Sequence, residues 1–359
     1  MIDTEYTTGT AIAASDDLVL VTGANGFIGS RVVETLLARG FRNLRCLVRS
    51  ASAAERLRSV AARYPEAVVE LLEGNLKSRR DCEAAARGVR VVFHLAAGMA
   101  EKSFPGCFLN TVVTTRNLLD AVSATRVLKR FVNVSSLAVY SNFDLRRRDV
   151  VDEMCPLESN HVARAEPYSY AKLKQDELVI DYAARHGFSY VILRPGAVYG
   201  PGKSDITGRV GIGTFGIFLQ LGRRNRIPFT HVMNCAEAIV LAGLTEAAEG
   251  QVFNVIDDDL PTGRQFIAAY KKRVGPMTYI SVPYRLFYAF SYVWERHSRW
   301  SDGQFPPVFN RRRCSAYWKG NAYSNAKLKN LTGWTPRVSF EQAAPDYFAY
   351  LKGTRTAQC

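Results

Sequence analysis

Two tyrosine–lysine pairs, Tyr168 with Lys172 and Tyr170 with Lys174, fall in and just beyond the stretch Pro167-Tyr168-Ser169-Tyr170-Ala171-Lys172. Residues four apart share a helix face, and the apolar periodicity from Pro167 to about Arg185 is helical. An ammonium beside a phenol favours the phenolate, which is one way to build a general base. A free tyrosine has a pKa of ~10, so reaching ~7 takes about 4 kcal/mol of differential stabilisation. One lysine and a second positive charge together are of that order. Spacing does not choose between the two pairs, and on this fragment alone a surface helix would account for both.

A second chemical signal lies near the start. Gly23-Ala24-Asn25-Gly26-Phe27-Ile28-Gly29 follows the apolar run Leu18 to Thr22 and opens an amphipathic stretch, Ile28 to Arg39. Glycines at this spacing allow a tight turn, close backbone approach to a pyrophosphate and close packing of helix on strand, and the helix N-terminus favours an anion. Gly23, Asn25, Gly26, Phe27, Ile28 and Gly29 are therefore candidate dinucleotide contacts. About twenty residues on, where a carboxylate would hold the 2′-hydroxyl of NAD, the chain reads Leu47-Val48-Arg49-Ser50. A cation there suits the 2′-phosphate of NADP, so Arg49 favours NADP(H) and leaves NAD(H) open. Asn75 and Leu76 after a third strand, and Leu95, Ala96 and Ala97 after a fourth, occupy strand ends where such folds place ligands.

These residues need a frame. Strand-like runs Leu18 to Thr22, Leu44 to Val48, Val68 to Leu72, Val91 to Leu95, Phe131 to Val134 and Tyr190 to Leu193 alternate with helical stretches. That rhythm predicts an α/β protein with a doubly wound parallel sheet of the Rossmann type. Residues 1–16 read as a flexible leader, 17–195 as the dinucleotide-binding domain, and 196–230 with 257–359 as a smaller substrate lobe. A helix near Asn234 to Glu246 and a strand Gln251 to Val255 return the chain to the sheet over about 231–256.

Composition narrows the class. The chain has 359 residues, 47% apolar and 22% charged, which excludes disorder as its main state. No apolar run is long enough to span a bilayer, and the start lacks a secretory signal, so a cytoplasmic location is expected. Seven scattered cysteines without a CxxC pair read as reduced thiols, and the five histidines show no metal-ligand spacing. Net charge is +14, and residues 281–330 hold nine basic side chains against Glu295 and Asp302. No nucleic-acid motif accompanies that run. Within it Tyr284, Tyr288 and Tyr292 form one helical stripe and Phe287, Phe290 and Trp294 an adjacent one, with Arg285, Arg296 and Arg299 around them. Segment 284–300 suits a core helix, an apolar substrate channel or peripheral contact with a membrane.

The glycine loop, Val134-Ser135-Ser136-Leu137-Ala138-Val139-Tyr140, the YxxxK pair and Leu193-Arg194-Pro195-Gly196-Ala197-Val198-Tyr199-Gly200-Pro201-Gly202 come in a recognisable order. In that order the chain resembles the extended short-chain dehydrogenase/reductase family, the NAD-dependent epimerase/dehydratase superfamily, over roughly residues 17–352. The resemblance implies an NAD(P)-dependent enzyme. It selects Tyr168 and Lys172 over Tyr170 and Lys174, through the proline before the tyrosine and the small residue before the lysine. It assigns the catalytic serine to Ser136, with Ser135 the weaker choice, and gives Asn110 the role of organising a proton relay. Pro195 and Val198 become cofactor contacts, and Asn75 departs from the family's usual aspartate. Members of the family often form homodimers.

Substrate class rests on smaller signs. Leu137-Ala138 stands where sugar-nucleotide dehydratases carry Asp-Glu, which disfavours dehydration. His231-Val232-Met233-Asn234 resembles the "HVxN" of 3β-hydroxysteroid dehydrogenase-like members more than the "YVxD" of the sugar enzymes. The leading expectation is hydride transfer between a secondary alcohol and a ketone on a bulky apolar small-molecule substrate, sterol-like or polyketide-like. A nucleotide-sugar 4-epimerase or reductase using bound NAD is the alternative. A non-catalytic dinucleotide sensor is the third, disfavoured because both tyrosine and lysine are present.

Overall fold

The structure, a computed structural model, describes residues 12–99, 101–214, 216–302 and 304–356. β1 (Val19–Thr22), α1 (Gly29–Ala38), β2 (Asn43–Val48), α2 (Glu55–Ala61), β3 (Val68–Glu73), α3 (Arg79–Ala86) and β4 (Val91–His94) open the chain. A helix follows in three parts: α4 (Phe104–Cys107), a π-helical segment Phe108–Val113, and α5 (Thr114–Ala124). Then come β5 (Arg130–Val134), β6 (Val150–Val151), α6 (His161–Arg164), α7 (Pro167–His186) and β7 (Ser189–Pro195). After these the chain makes β8 (Ala197–Tyr199), β9 (Gly211–Thr214), β10 (Ile217–Leu221), β11 (Phe229–His231), α8 (Val232–Leu244) and β12 (Gln251–Val255). The remainder is α9 (Gly263–Arg273), β13 (Tyr279–Val282), α10 (Tyr284–Trp300), α11 (Arg311–Trp318), β14 (Ala322–Tyr323), α12 (Ala326–Thr332) and α13 (Phe340–Thr356).

Seven strands form one parallel sheet in the order β12-β7-β5-β4-β1-β2-β3. Its inner strands are apolar on both faces because helices cover both. Val21 and Phe93 enter one cluster, with α1 and α8, while Leu20 and Val92 enter another, with α3, α5 and α7. The order reverses between β1 and β4, and the resulting crevice lies at the carboxyl ends of the strands, where candidate residues collect. β12 pairs with β7 from Gln251↔Val191 to Val255↔Pro195, so the chain returns to the sheet after its excursion.

The leader expectation needs correction where it can be compared. Residues 1–11 lie outside the described residues, but residues 12–16 are docked. Ile12 donates its amide to the Leu244 carbonyl, Arg42 donates to that of Ser15, and Ala13 is buried in the core. Short apolar side chains hid this from pattern reading, because the docking partners are remote in sequence.

Candidate active site

Three strand ends shape the dinucleotide cradle. Gly23 has φ +67, and a Cβ there would sit 2.9 Å from the Ala96 amide nitrogen, so the glycine loop lies directly against the Leu95–Ala97 segment. A Cβ on Gly29 would come within 2.1 Å of the Gly23 carbonyl oxygen, so the turn closes only with glycine. α1 begins with no side-chain cap and no acidic residue in its first turn, leaving a positive dipole end for an anion. Asn25 donates to the Ala53 carbonyl and braces the loop after β2, and Phe27 lies 3.2 Å from where a Gly202 Cβ would be. The glycine cradle and the small residues beside it fit a dinucleotide.

The other candidate cofactor residues lie around this cradle. Ile28 packs on the sheet core, and Leu95 and Val198 pack on the same cluster. Arg49 is exposed immediately after β2. In the loop it begins, the Ala51 amide donates to Glu73 Oε2 at 3.0 Å, a carboxylate that sequence reading had not considered. Asn75 accepts from the Lys77 amide and donates its own amide to Asp81, which turns the chain after β3 and buries Leu76. Pro195 ends β7 beside Val255.

On α7, Tyr168 and Lys172 are brought to one place and Tyr170 and Lys174 are not. Tyr168 lies against Ser136, whose hydroxyl bears on the phenol and favours its ionised form. Lys172 is buried and donates from Nζ to the Val134 carbonyl at 2.6 Å and to Gln175 Oε1 at 2.9 Å. Tyr170 instead packs among Phe104, Phe108 and His161, and Lys174 pairs with Glu177 at the surface. The serines also separate. Ser135 is buried and donates to Asp176 Oδ2 at 2.9 Å, so its hydroxyl is committed inward, whereas Ser136 faces the tyrosine.

Electrostatics depart from the simplest expectation. Burial pushes the Tyr168 phenol up to about 12, against the Ser136 hydroxyl, which favours the phenolate. Burial also pulls the Lys172 ammonium down to about 8, against the nearby Asp176 carboxylate. The expectation that Lys172 depresses the phenol is corrected for this arrangement, since its ammonium is turned to the Val134 carbonyl and Gln175. At neutral pH the phenol therefore holds its proton and the lysine its charge.

Asn110 makes no hydrogen bond to Ser136, Tyr168 or Lys172. It sits within the π-helical segment, partly exposed, and donates from Nδ2 to Glu101 Oε1 at 2.7 Å and to the Gly106 carbonyl. The side-chain amide hydrogen-bonded to Lys172 is that of Gln175. From Gln175 a buried chain runs on. Gln175 Nε2 donates to Thr115 Oγ1 at 2.7 Å, and Thr115 gives its proton to the Thr111 carbonyl. His94 Nε2, 2.8 Å from Thr115 Oγ1, must then be the donor, and His94 Nδ1 accepts from Thr22 at 2.7 Å. Burial pulls the His94 imidazole down to about 3, so it is neutral, as this chain requires. Thr22 Oγ1 finally accepts from the Ala96 amide at 3.4 Å, which links α7 to the segment against the glycine loop.

One further residue was missed in the sequence, and another has a different part from the one expected. Asp176, one turn past Lys172, is buried and holds Asn133, Ser135 and Arg194, with burial raising its carboxyl against the Arg194 guanidinium. Asn234 of the HVxN motif reaches neither tyrosine nor serine. It donates to Asp257 and the Val338 carbonyl and accepts from the Arg337 and Val338 amides, tying α8 to the C-terminal segment. A carboxylate at i+4 from the lysine was the available signal for Asp176.

The C-terminal lobe contains a cavity of about 250 Å³. Phe287, Val308, Phe309 and Trp318 give it apolar walls, with Arg313 and Tyr317 as polar members. Tyr317 donates to Glu166 Oε1 at 2.5 Å, and Glu166 pairs with Arg164 at 2.6 Å, which anchors this wall to the residues just before Tyr168.

The model of the NAD dependent epimerase/dehydratase family matches residues 19–255. The 4-hydroxy-2-methyl-3-oxo-4-farnesyl-3,4-dihydroquinoline-1-oxide ketoreductase of Stigmatella aurantiaca is 27% identical over 90% of this chain and 93% of its own. The 3-beta-hydroxysteroid dehydrogenase of Mycolicibacterium neoaurum is 25% identical over 95% of this chain and 93% of its own. Among solved structures, UDP-glucuronic acid 4-epimerase from Bacillus cereus, in complex with UDP-glucuronic acid and NAD, shares the fold. It superposes with a TM-score of 0.70 at 20% identity, over 94% of this chain and 99% of its own.

Proposed function

Because this chain belongs to the NAD dependent epimerase/dehydratase family, and so to a class of NAD-dependent oxidoreductases and epimerases, we propose that it interconverts a ketone and a secondary alcohol on a bulky apolar substrate. Ser136, Tyr168 and Lys172 form its site. The observation that carries this reading is the placing of Tyr168 against Ser136 beside the buried Lys172, whose Nζ is held by the Val134 carbonyl and Gln175. A substrate oxygen set against both hydroxyls receives a hydrogen bond from Ser136 and a proton from Tyr168. A phenol pushed up to about 12 holds its proton at neutral pH, which suits the reducing direction. Lys172 keeps a positive charge beneath the site, and the Gln175–Thr115–His94–Thr22 chain fixes its position. A bound nicotinamide dinucleotide supplies or accepts the hydride.

An apolar substrate is supported by the aromatic walls of the lobe cavity and by the ketoreductase and steroid dehydrogenase among the relatives. For the cofactor, Arg49 favours the 2′-phosphate of NADP(H) by ~1 to 3 kcal/mol, the worth of a charged hydrogen bond. The Glu73 carboxylate at the end of β3, which accepts from the Ala51 amide of that loop, keeps the preference at the low end. Titration of the purified chain tests this: NADPH binds more tightly than NADH, and Arg49→Asp reverses the order. Equal or tighter NADH binding, with turnover of a nucleotide sugar without net cofactor consumption, contradicts both parts.

A further inference from the structure

The outer face of α10 is apolar and uncovered. Leu286, Phe290, Val293 and Trp300 are all exposed, Trp300 to 80%, and with His297 they follow one another at spacings of four, three, four and three. Such residues fall on one stripe of a helix. The opposite face is packed: Phe287, Ser291 and Ser298 are buried, and Phe287 meets Phe309 and Trp318. The helix is thus held firmly by one side and presents the other.

Three features say what the presented side meets. The loop after α10 widens the stripe: Phe305 is exposed and stacks near His297 at 5.1 Å, Trp294 donates to the Pro306 carbonyl, and Val308 is 42% exposed. Arg285, Arg296 and Arg299 are exposed in a row along the other border, and no ion pair engages them among the described residues. Val308 belongs both to the exposed patch and to the cavity wall, so the patch leads into the apolar cavity. A second protein surface would need its own carboxylates opposite the arginines and would seal the cavity. A bilayer supplies acyl chains for the stripe, phosphates for the arginine row, and a phase in which apolar molecules dissolve.

We propose that α10 with the 304–309 loop is a docking surface for an anionic lipid bilayer, seated with its apolar stripe in the acyl boundary and its arginines at the headgroups. This stands apart from the catalytic reading, since it requires no turnover. The test is sedimentation of the full-length chain with phosphatidylcholine vesicles, with and without phosphatidylserine. The chain is expected to sediment with the phosphatidylserine vesicles at low salt and to be released as salt rises. Arg296→Gln/Arg299→Gln should weaken binding roughly thirtyfold, from ~1 kcal/mol for each basic residue near the surface. Leu286→Ser/Val293→Ser should also weaken it while thermal unfolding stays unchanged, since both positions are exposed. No sedimentation at low salt overturns the proposal, and so does binding that ignores both phosphatidylserine and the arginine variant. A lipid-free dimer that Leu286→Ser/Val293→Ser dissociates, with no vesicle binding, assigns the face to a second copy of the chain and overturns it as well.

Discussion

Phe131 on β5 and Phe287 on α10 are both buried aromatic residues, yet their surroundings differ. Phe131 is wholly enclosed, its ring 5.5 Å from His94 and 6.4 Å from Phe188, in a layer filled from both sides of the sheet. Phe287 borders a cavity of about 250 Å³, and its neighbours Leu286 and Phe290 face outward. The inner strands of a parallel sheet between two helical layers are covered on both faces, whereas the lobe keeps a hollow and an uncovered face. The sheet positions the cofactor cradle and the tyrosine; the lobe has room to accommodate a ligand.

That contrast can be broken by mutation. Phe131→Ala removes a ring from a filled layer and is expected to lower unfolding free energy by about 3 to 5 kcal/mol. Phe287→Ala lies beside space that is already unpacked and is expected near the lower end, about 3 kcal/mol, in the same urea titration. Equal losses at the upper end would mean that the cavity does not loosen the lobe.

A pH-dependent effect is expected at Asp257, next to β11 and α8. Burial pushes this carboxyl up to about 7 from an ordinary 3.8, opposed by hydrogen bonds from Asn234 and the His231 amide. Between these values the folded chain holds more protons than the unfolded chain, so this contribution to stability is present at acid pH and is lost as pH rises from about 4 through about 7. Asp257→Asn should flatten that part of the stability profile. The smallest effect belongs to the exposed stripe: Leu286→Ser should change stability by no more than about 0.5 kcal/mol, measured by thermal unfolding.

Legibility in the sequence followed the distance over which each feature is built. The glycine loop rests on local spacing, the choice of Tyr168–Lys172 over Tyr170–Lys174 on the family resemblance, and the strand-end positions of Asn75 and Leu95 follow from the βα rhythm. Gln175, Thr115, His94 and Thr22 come from four separate elements and join only through the fold, so their chain was not readable. Ser135 and Ser136 could not be separated by order alone, because the choice depends on which hydroxyl Asp176 takes. The HVxN motif was read as a sign of substrate class, while its asparagine locks α8 to the chain's last segment. Helix α10 was placed accurately by its stripes, but which stripe faces outward depended on where Phe309 and Trp318 pack.

Deuterium transfer tests the catalytic assignment most directly. With deuterium-labelled NADPH and a bulky apolar cyclic ketone, the chain should deliver the label to the former carbonyl carbon. Tyr168→Phe should reduce that rate by ~100- to 10,000-fold, the usual worth of a general acid, while NADPH still binds. Tyr170→Phe should leave it nearly unchanged. Label that never reaches the ketone carbon across such substrates, or a rate that survives Tyr168→Phe and falls with Tyr170→Phe, would contradict the assignment of Ser136, Tyr168 and Lys172 as the reducing site.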